Sequence, residues 1–473
     1  MAIKLRHIIE IQSVQRFDIS TQWVYNESSS SSPTKNFMSR DNSFQNNATR
    51  TRLTQRLDDK KDNVGSSTSS TLTSLHEKGN LPIHVFQEWM NFVQEQDCSE
   101  NPDDYTHIYT DLAYWLHRGS IPRADIIDEA TGIIQFKHGS FTDPLNGGFL
   151  RPLESLFIVN NKTFAFLLNG YDEPRSIKAD VSIEPYRSMD DVYNNNACIR
   201  EKFNITRRHH GFFLGPHSFV ALNLQFPLFS QSTLDCYADV AFPLYQQIGM
   251  ATKGPIQDPF SWEDKLPVAF WRGATTGGSY SKGKPWKDFH RSRFVSWAKE
   301  WEVRHPGTTC DVSDPQSLPP KNGSLKVDIG FHMYGQSDGS LTNDDLSFLY
   351  PFKSHVSLNT TKQFKYLIVV DGNTWPNRLQ QYLQLNSVIL YNGIFKDVYM
   401  WKLEPWVHYV PFKVDCSDLE ERLHWVMNHD NEAKRISENA RSLMSRMNSL
   451  NQMRCYSGLL LLEYSHLYMK NDS

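Results

Sequence analysis

Between Phe364 and Asp430 strand-like and helix-like patterns alternate across short loops, and few folds accept that order. "FKYLIVVDG", residues 364–372, is a continuous apolar run with β-branched members, the pattern of a strand buried on both faces. "NTWPNRLQQYLQL" follows as a turn and a helix, with Pro376 suited to the first helical turn, where a missing N–H costs nothing. "SVILYN" then reads as a strand, "FKDVYMWKL" as a helix, "WVHYVPF" as a strand and "DCSDLEERLHWVMNHD" as a helix. Ser417 is the expected N-cap of that last helix, with Asp418 and Glu420 in an acidic first turn. Strands and helices alternating in this way predict a parallel, doubly wound sheet. Residues 431–468 read as one or two long helices.

The rest of the chain divides by composition. With 473 residues, 39% of them hydrophobic, there is room for two ordinary domains and a tail. Residues 26 to about 80 are dominated by Ser, Thr and Asn and bury too little apolar surface to offset their ordering entropy. The segment 1–80 is therefore expected to be disordered. Order is expected from "LPIHVFQEWMNFVQEQ", 81–96, where apolar residues recur at helical spacing, and "DLAYWLHRG", 111–119, is a second helix. "GIIQFKHGSF" and "ESLFIVNNKTFAFLLNG" read as strands.

Several function classes are disfavoured at this level. The net charge of -4 gives no electrostatic case for nucleic acid. No run of eighteen apolar residues is present, so no spanning helix is expected, and the first residues carry no apolar core of signal-peptide length. None of the six cysteines sits in a C-x-x-C pair, which argues against a zinc site; disulfides are open, in a connectivity that spacing does not decide. N-x-S/T sequons begin at Asn26, Asn47, Asn161, Asn204, Asn322, Asn359 and Asn471 and favour a secretory lumen.

Three segments could carry chemistry. "GSYSKGKP", from Gly278, fits Gly-x4-Gly-Lys, but Pro285 replaces the hydroxyl residue that a P-loop uses on Mg²⁺ and removes an N–H from the cradle. The anion-binding part is expected on either side of that stretch. "PVAFWRGATTGG" brings Arg272, Gly273, Ala274, Thr275, Thr276 and Gly277 to a turn after a strand, and the following helix starts near Arg291 and Arg293. "DGNTWPNR" lies between a buried strand and a helix start, with Asn373, Thr374, Trp375, Pro376, Asn377 and Arg378 at the sheet edge where ligands bind. The alternative is an ordinary turn with an arginine on a solvated face. "NGYDEPR" places Asp172 and Glu173 at the end of a strand stopped by Pro174. One of them could act as general base, or the segment could be an Asx-type turn. Asp239 is a second candidate base, with a buried structural carboxylate as the plainer role. "RRHHG", 207–211, is expected to be a solvated basic loop, since adjacent histidines do not easily share one ion. There is no Asp-x-Asp pair to hold a cation.

The linked set "VAFWRGATTGG…HRSRF", "KYLIVVDGNTWPNRLQQYLQLNSVIL", "LEPWVHYVPFKVDCSDLEERLHWVMNHDNEAKRISENA", "FLLNGYDEPR" and "PLFSQSTLDCYADVAFPL" resembles family 90 of the glycosyltransferases, the capsule-associated-protein family. That family includes animal protein O-glucosyltransferases and fungal capsule xylosyltransferases. The resemblance covers roughly 150–445 in collinear order, and "DEPR" and "TTGG" look like the fungal branch. It implies a GT-B fold: two Rossmann-like domains, 81–245 on the acceptor side and 246–440 on the UDP-sugar side, facing a cleft, with 441–473 crossing back as a helix. It implies inverting, metal-independent transfer of xylose or glucose from a UDP-sugar to a glycan or glycoprotein hydroxyl in the Golgi or endoplasmic reticulum. Asp172 matches the family's base, and the "RGATTG" turn, Arg291 and "NTWPNR" match its UDP site. Asp371-Gly372 stands where animal members have Arg-Gly, and "NNNACIREKFNITRRHHG" looks like an insertion. Two other readings stay open: a silent sugar- or peptide-binding relative of the same fold, and an Mg²⁺-dependent NTPase or kinase, which Pro285 opposes.

Overall fold

In the computed structural model the described residues are Cys98, 105–118, 127–128, 133–134, 157–159, 162–164, 167–169, 172–178, 189–203, 210–217, 227–243, 245–350 and 352–469. The expected disordered segment 1–80 and the helix expected at 81–96 lie outside them.

The α/β class expected from the alternation is what the chain adopts. Two small hairpins come first, β1 (Ile127–Asp128) with β2 (Ile133–Ile134) and β3 (Phe157–Val159) with β4 (Lys162–Phe164). A parallel sheet in the order β5-β6-β7 follows, from Leu167–Leu168, Leu228–Ser230 and Val240–Ala241. The helix Thr106–Arg118 packs on this half, with Ile108, Leu112 and Trp115 buried at helical spacing and the Trp115 indole donating to Ala238 O.

The second half holds a five-stranded, all-parallel sheet of β8 (Leu266–Ala274), β9 (Lys326–Met333), β10 (Phe364–Val369), β11 (Val388–Tyr391) and β12 (Val410–Pro411). Its spatial order is β12-β11-β10-β8-β9. The chain runs from β8 outward to β9, returns to the other side of β8 as β10, and continues away. The winding therefore reverses between β8 and β10, and the loops after those two strands part from each other at the carboxyl edge.

Alternate residues of each central strand feed two cores. Val268 and Phe270 of β8, with Leu367 and Val369 of β10, face a core that takes in the first half and the C-terminal helices. Ala269 and Trp271, with Tyr366 and Ile368, face a core built with Phe294, Val295 and Trp301 of the helix His290–Arg304 and with Leu419, Leu423 and Val426 of the helix Leu419–Asn428. Both faces of the sheet are covered, which is why "FKYLIVV" shows no polar position apart from Lys365.

Four local expectations change. "FKDVYMWKL" forms only a short turn, Met400–Lys402, because Lys396 spends its backbone on the first half, exchanging N–H···O bonds of 2.8 Å with Thr233. "WVHYVPF" shrinks to Val410–Pro411, because 404–409 closes a turn through Trp406 N to Tyr409 O and His408 N to Glu404 O, with Trp406 at φ +66°. Asp418, not Ser417, stands at the helix N-cap; Asp415 Oδ1 takes the Ser417 N–H, and the Asp418 carboxylate serves Lys413 N and Arg422. Pro376 likewise sits at the N-cap of Asn377–Tyr382, one place before the first turn. The alternation also left β9 unread, because the buried Asp328 denies it the continuous apolar run that marks β10.

The chain ends in two helices, Asp430–Met447 and Leu450–Met469. The last one lies against the first half: Tyr456 Oη donates to Ala241 O, Tyr105 Oη donates to Gln452, and Cys455 is disulfide-bonded to Cys98. Cys198 pairs with Cys236, while Cys310 and Cys416 are free and buried. Among the described residues no helix is long and apolar enough to cross a membrane. The Cys98–Cys455 bond closes a loop of sequence separation 357, so its loss releases much unfolded-state entropy. Cys455→Ser is expected to lower stability by roughly 2–4 kcal/mol, read as a fall in the thermal midpoint; an unchanged midpoint would remove this tie between chain end and first half.

Candidate active site

The carboxyl edge at the β8/β10 reversal opens into a cavity of about 500 Å³. Its wall is built from three loops of the second half and one residue of the first. Ala274 and Thr276 follow β8; His332, Met333 and Gln336 end β9 and its loop; Gly372 to Arg378 follow β10; Asp172 comes from the loop after β5. Arg291 and Gln381 reach in from two helices.

Arg291 ties these loops together. Its Nε donates to Asp371 O at 2.7 Å, and Nη1 donates to Ala274 O at 2.9 Å and to Thr276 Oγ1 at 2.5 Å. One buried guanidinium thus spans the ends of β8 and β10. Burial, and after it the charge of Arg378, lowers Arg291 to about 9, which leaves it cationic at neutral pH. Arg378, half-buried, donates from Nη1 to Arg272 O. Two cations on one wall, one already under electrostatic pressure from the other, make a site that an anion relieves. Burial, then Arg378, also lowers His332, so that imidazole is held toward its neutral form.

Glycine has a geometric reason at Gly277. Its φ is +90°, and a Cβ there would come within 2.5 Å of the His290 ring and 2.8 Å of Gly372 O. The turn passes that close because Gly277 N donates to Asn373 Oδ1 at 3.1 Å, joining the two crevice loops.

Most sequence-expected residues meet at this cavity: Asp172, Ala274, Thr276, Arg291 and the whole of Asn373–Arg378. Arg272 is placed differently. Its guanidinium is 2.7 Å from Asp328 Oδ2 and donates to Ser354 O, 3% of the residue is exposed, and only its carbonyl serves the site, by holding Arg378. Thr275 is fully buried and exchanges hydrogen bonds with Gly335 N and O, lacing the β8 loop to the β9 loop. Gly273 and Gly277 support the turn without lining the cavity. Lys284 is exposed and is not on the cavity wall, while Tyr280 and Trp286 bury the two ends of its excursion.

Asp239, the second candidate base, is not on the cavity wall and is 2% exposed. It accepts from Arg175 N at 3.0 Å, Ser176 N at 2.6 Å and Ser230 Oγ at 2.6 Å. Burial raises it to about 6 against the pull of those donors. The carboxylate clamps the loop that carries Asp172. Asn169 helps by donating from Nδ2 to Glu173 O. Glu173, beside Asp172, is 3% exposed and does not line the cavity.

The expectation of a solvated "RRHHG" loop fails at His210, which is 1% exposed. Its ring stacks on His290 with centroids 3.7 Å apart, and its Nε2 lies 3.6 Å from Asp371 Oδ2. Phe212 N donates to His210 Nδ1 and Gly211 N donates to His290 Nδ1, so both rings carry their proton on Nε2. His290 passes that proton's hydrogen bond to Asp371 O at 2.8 Å. Asp371 also accepts from Tyr391 Oη and Ile394 N, and burial raises it to about 6. Sequence missed this cluster, and it missed His332, Met333 and Gln336; the alternation of Val327, Ile329 and Phe331 was the signal that could have placed the latter at a strand's carboxyl end. Among the described residues no group of three or more His, Cys, Asp or Glu is placed to hold a metal ion.

Fold and site together define a class: a doubly wound α/β protein with a cationic crevice at its sheet reversal and a carboxylate from a second parallel sheet in the same cavity. The family model of glycosyl transferase family 90 matches residues 325–472. The chain is similar to protein O-glucosyltransferase 2 of Danio rerio, 35% identical over 136 residues, 28% of this chain and 27% of that protein. It is similar to protein O-glucosyltransferase 1 of Homo sapiens, 25% identical over 255 residues, 52% of this chain and 58% of that one. The O-glucosyltransferase rumi homolog of Aedes aegypti is 24% identical over 252 residues, 51% of this chain and 56% of the relative. The chain thus spans from about a quarter to somewhat over half the length of these relatives.

Burial, with the Arg291 charge second, lowers His210 to about 3, and burial first, then His210 and Arg291, lowers His290 well below its ordinary value. Selective ¹⁵N-histidine NMR should show both rings neutral and Nε2-protonated at pH 5, where a solvated histidine is mostly charged. A protonation shift of either ring near pH 6.5 would contradict the arrangement.

Proposed function

We propose that this chain is an inverting glycosyltransferase that moves xylose or glucose from a UDP-sugar to a hydroxyl of a glycan or glycoprotein. The carrying observation is one cavity that gathers Asp172 from the first sheet and Arg291 and Arg378 from the second. In this reading the diphosphate lies in the crevice, near Arg378 and the loops 274–276 and 372–378. Asp172 takes the proton of the acceptor hydroxyl. The acceptor oxygen forms its bond to the anomeric carbon as the bond from that carbon to the diphosphate oxygen breaks, and UDP leaves with the electron pair. The two arginines offset the charge that grows on the leaving group.

The reading needs no metal step, because fixed cations already face the crevice. Names of the similar proteins favour a hexosyl donor, and the wording "DEPR" and "TTGG" favours the fungal branch and its xylosyl chemistry. The two disulfides favour an oxidising compartment, and we place the protein in the lumen of the endoplasmic reticulum or Golgi on that ground.

Asp172→Asn is expected to lower transfer by at least about a thousandfold while UDP binds with wild-type affinity in calorimetry. Retained turnover removes Asp172 from the role of base. Arg378→Ala is expected to weaken UDP itself by roughly 10–100-fold, the worth of a charge-assisted contact to phosphate. Transfer should persist in excess chelator, and its loss there would overturn the metal-free reading.

A further inference from the structure

We infer that Gln231 is the positioning residue of Asp172: its side-chain amide caps one carboxylate oxygen and fixes which oxygen is left to work. The inference rests on the reading of Asp172 as the base.

Strand pairing brings the two residues together. β5 and β6 run parallel with Leu167 opposite Leu228 and Leu168 opposite Phe229. Whatever follows the two strands therefore emerges side by side at the same carboxyl edge. Asn169 N donates to Phe229 O at 2.8 Å and carries the pairing one residue further. Asp172 then comes from the loop after β5, and Gln231 is the first residue after β6. Across that edge Gln231 Nε2 donates to Asp172 Oδ1 at 3.0 Å. The donor is 2% exposed, whereas Asp172 is half-buried and lines the cavity. The amide is thus behind the carboxylate and off the cavity wall. It touches Asp172 from outside the cavity lining.

Gln231 is itself held on both sides. Gln247 Nε2 donates to Gln231 O at 3.1 Å, and Gln247 is fully buried. Two residues on, Thr233 N and O bond Lys396 O and N, each at 2.8 Å. That bridge joins the first half to the residues beyond β11, so the amide is set in a frame that includes the second half. An amide donor suits the task. It offers a hydrogen to the ionised carboxylate, carries no charge that would pair with it permanently, and cannot compete for the proton Asp172 must accept. With Oδ1 capped, Oδ2 is the oxygen without this donor and the one assigned to the acceptor hydroxyl.

The test compares Gln231→Leu, Gln231→Glu, Asp172→Asn and the double variant Asp172→Asn/Gln231→Leu in the full chain. The readouts are kcat and donor KM for UDP release from UDP-glucose and UDP-xylose, UDP affinity by calorimetry, and the thermal midpoint. Gln231→Leu should lose roughly 10–100-fold in kcat with donor KM and UDP affinity within about twofold of wild type. Gln231→Glu keeps the shape and sets a second acceptor against Asp172, so it should lose at least as much, and it covers the case in which leucine is poorly tolerated. The double variant should be no slower than Asp172→Asn alone, because a residue that works only through Asp172 has nothing left to position.

Wild-type kcat in both Gln231 variants overturns the inference while leaving the base reading intact. So does a loss that multiplies that of Asp172→Asn, or one explained by weaker UDP binding, since either would mark a general structural role. If Asp172→Asn turns over at the wild-type rate, the base reading falls and the role of Gln231 falls with it. A wild-type chain that releases UDP from neither sugar overturns both.

Discussion

The buried guanidinium of Arg291 is the contact on which the crevice depends. The ends of β8 and β10 part because the chain reverses its winding between them, and parting strands expose carbonyls with no partner in the sheet. Arg291 meets Ala274 O on one side and Asp371 O on the other. A guanidinium suits this place because its planar fork serves two strand ends at once and keeps its charge when buried. Asp371 O is shared with His290, so neighbouring residues on one helix hold one carbonyl from two directions. The result is a cationic floor whose geometry is set before any ligand arrives.

The first half of the chain is fastened to that floor by neutral contacts. His210 lies face to face with His290, and Gly211 passes so near Gly277 O that a Cβ would sit 1.7 Å from it. Ser279 N donates to Gly215 O at 2.8 Å in the same place. Neutral imidazoles are the form this environment tolerates, because both rings are buried and the Arg291 charge is close. Asp371, where the sequence departs from the animal pattern, is part of this fastening and not of the cavity wall. On the first sheet Asp239 does parallel work: it receives the backbone of 175–176 and so fixes the loop bearing Asp172.

What sequence showed plainly was periodic. The continuous run at β10 and the order of strands and helices after it specified a parallel sheet buried on both faces. "NTWPNR" could be placed at the sheet edge because a buried strand and a helix start bracket it. What sequence hid was set by partners distant along the chain. Arg272 reads as a ligand arginine until Asp328 is seen to hold its guanidinium at 2.7 Å, and Asp328 also masked β9 by denying it the continuous apolar run that marks β10. "RRHHG" reads as solvated until the rings of His210 and His290 are found stacked, 80 residues apart in the chain. "FKDVYMWKL" has helical composition, yet Lys396 pairs its backbone with Thr233 and the helix never starts. In each case a tertiary partner outweighs a local pattern, and local patterns are all that a single sequence displays.

The central claim is that the β8/β10 crevice holds a UDP-sugar against Asp172. The most direct measurement is UDP release across a panel of UDP-sugars, with the anomeric configuration of the product read by NMR. The account predicts release from UDP-glucose or UDP-xylose with inversion at the anomeric carbon. Release with retention, or no release and no UDP binding across the panel, would contradict it.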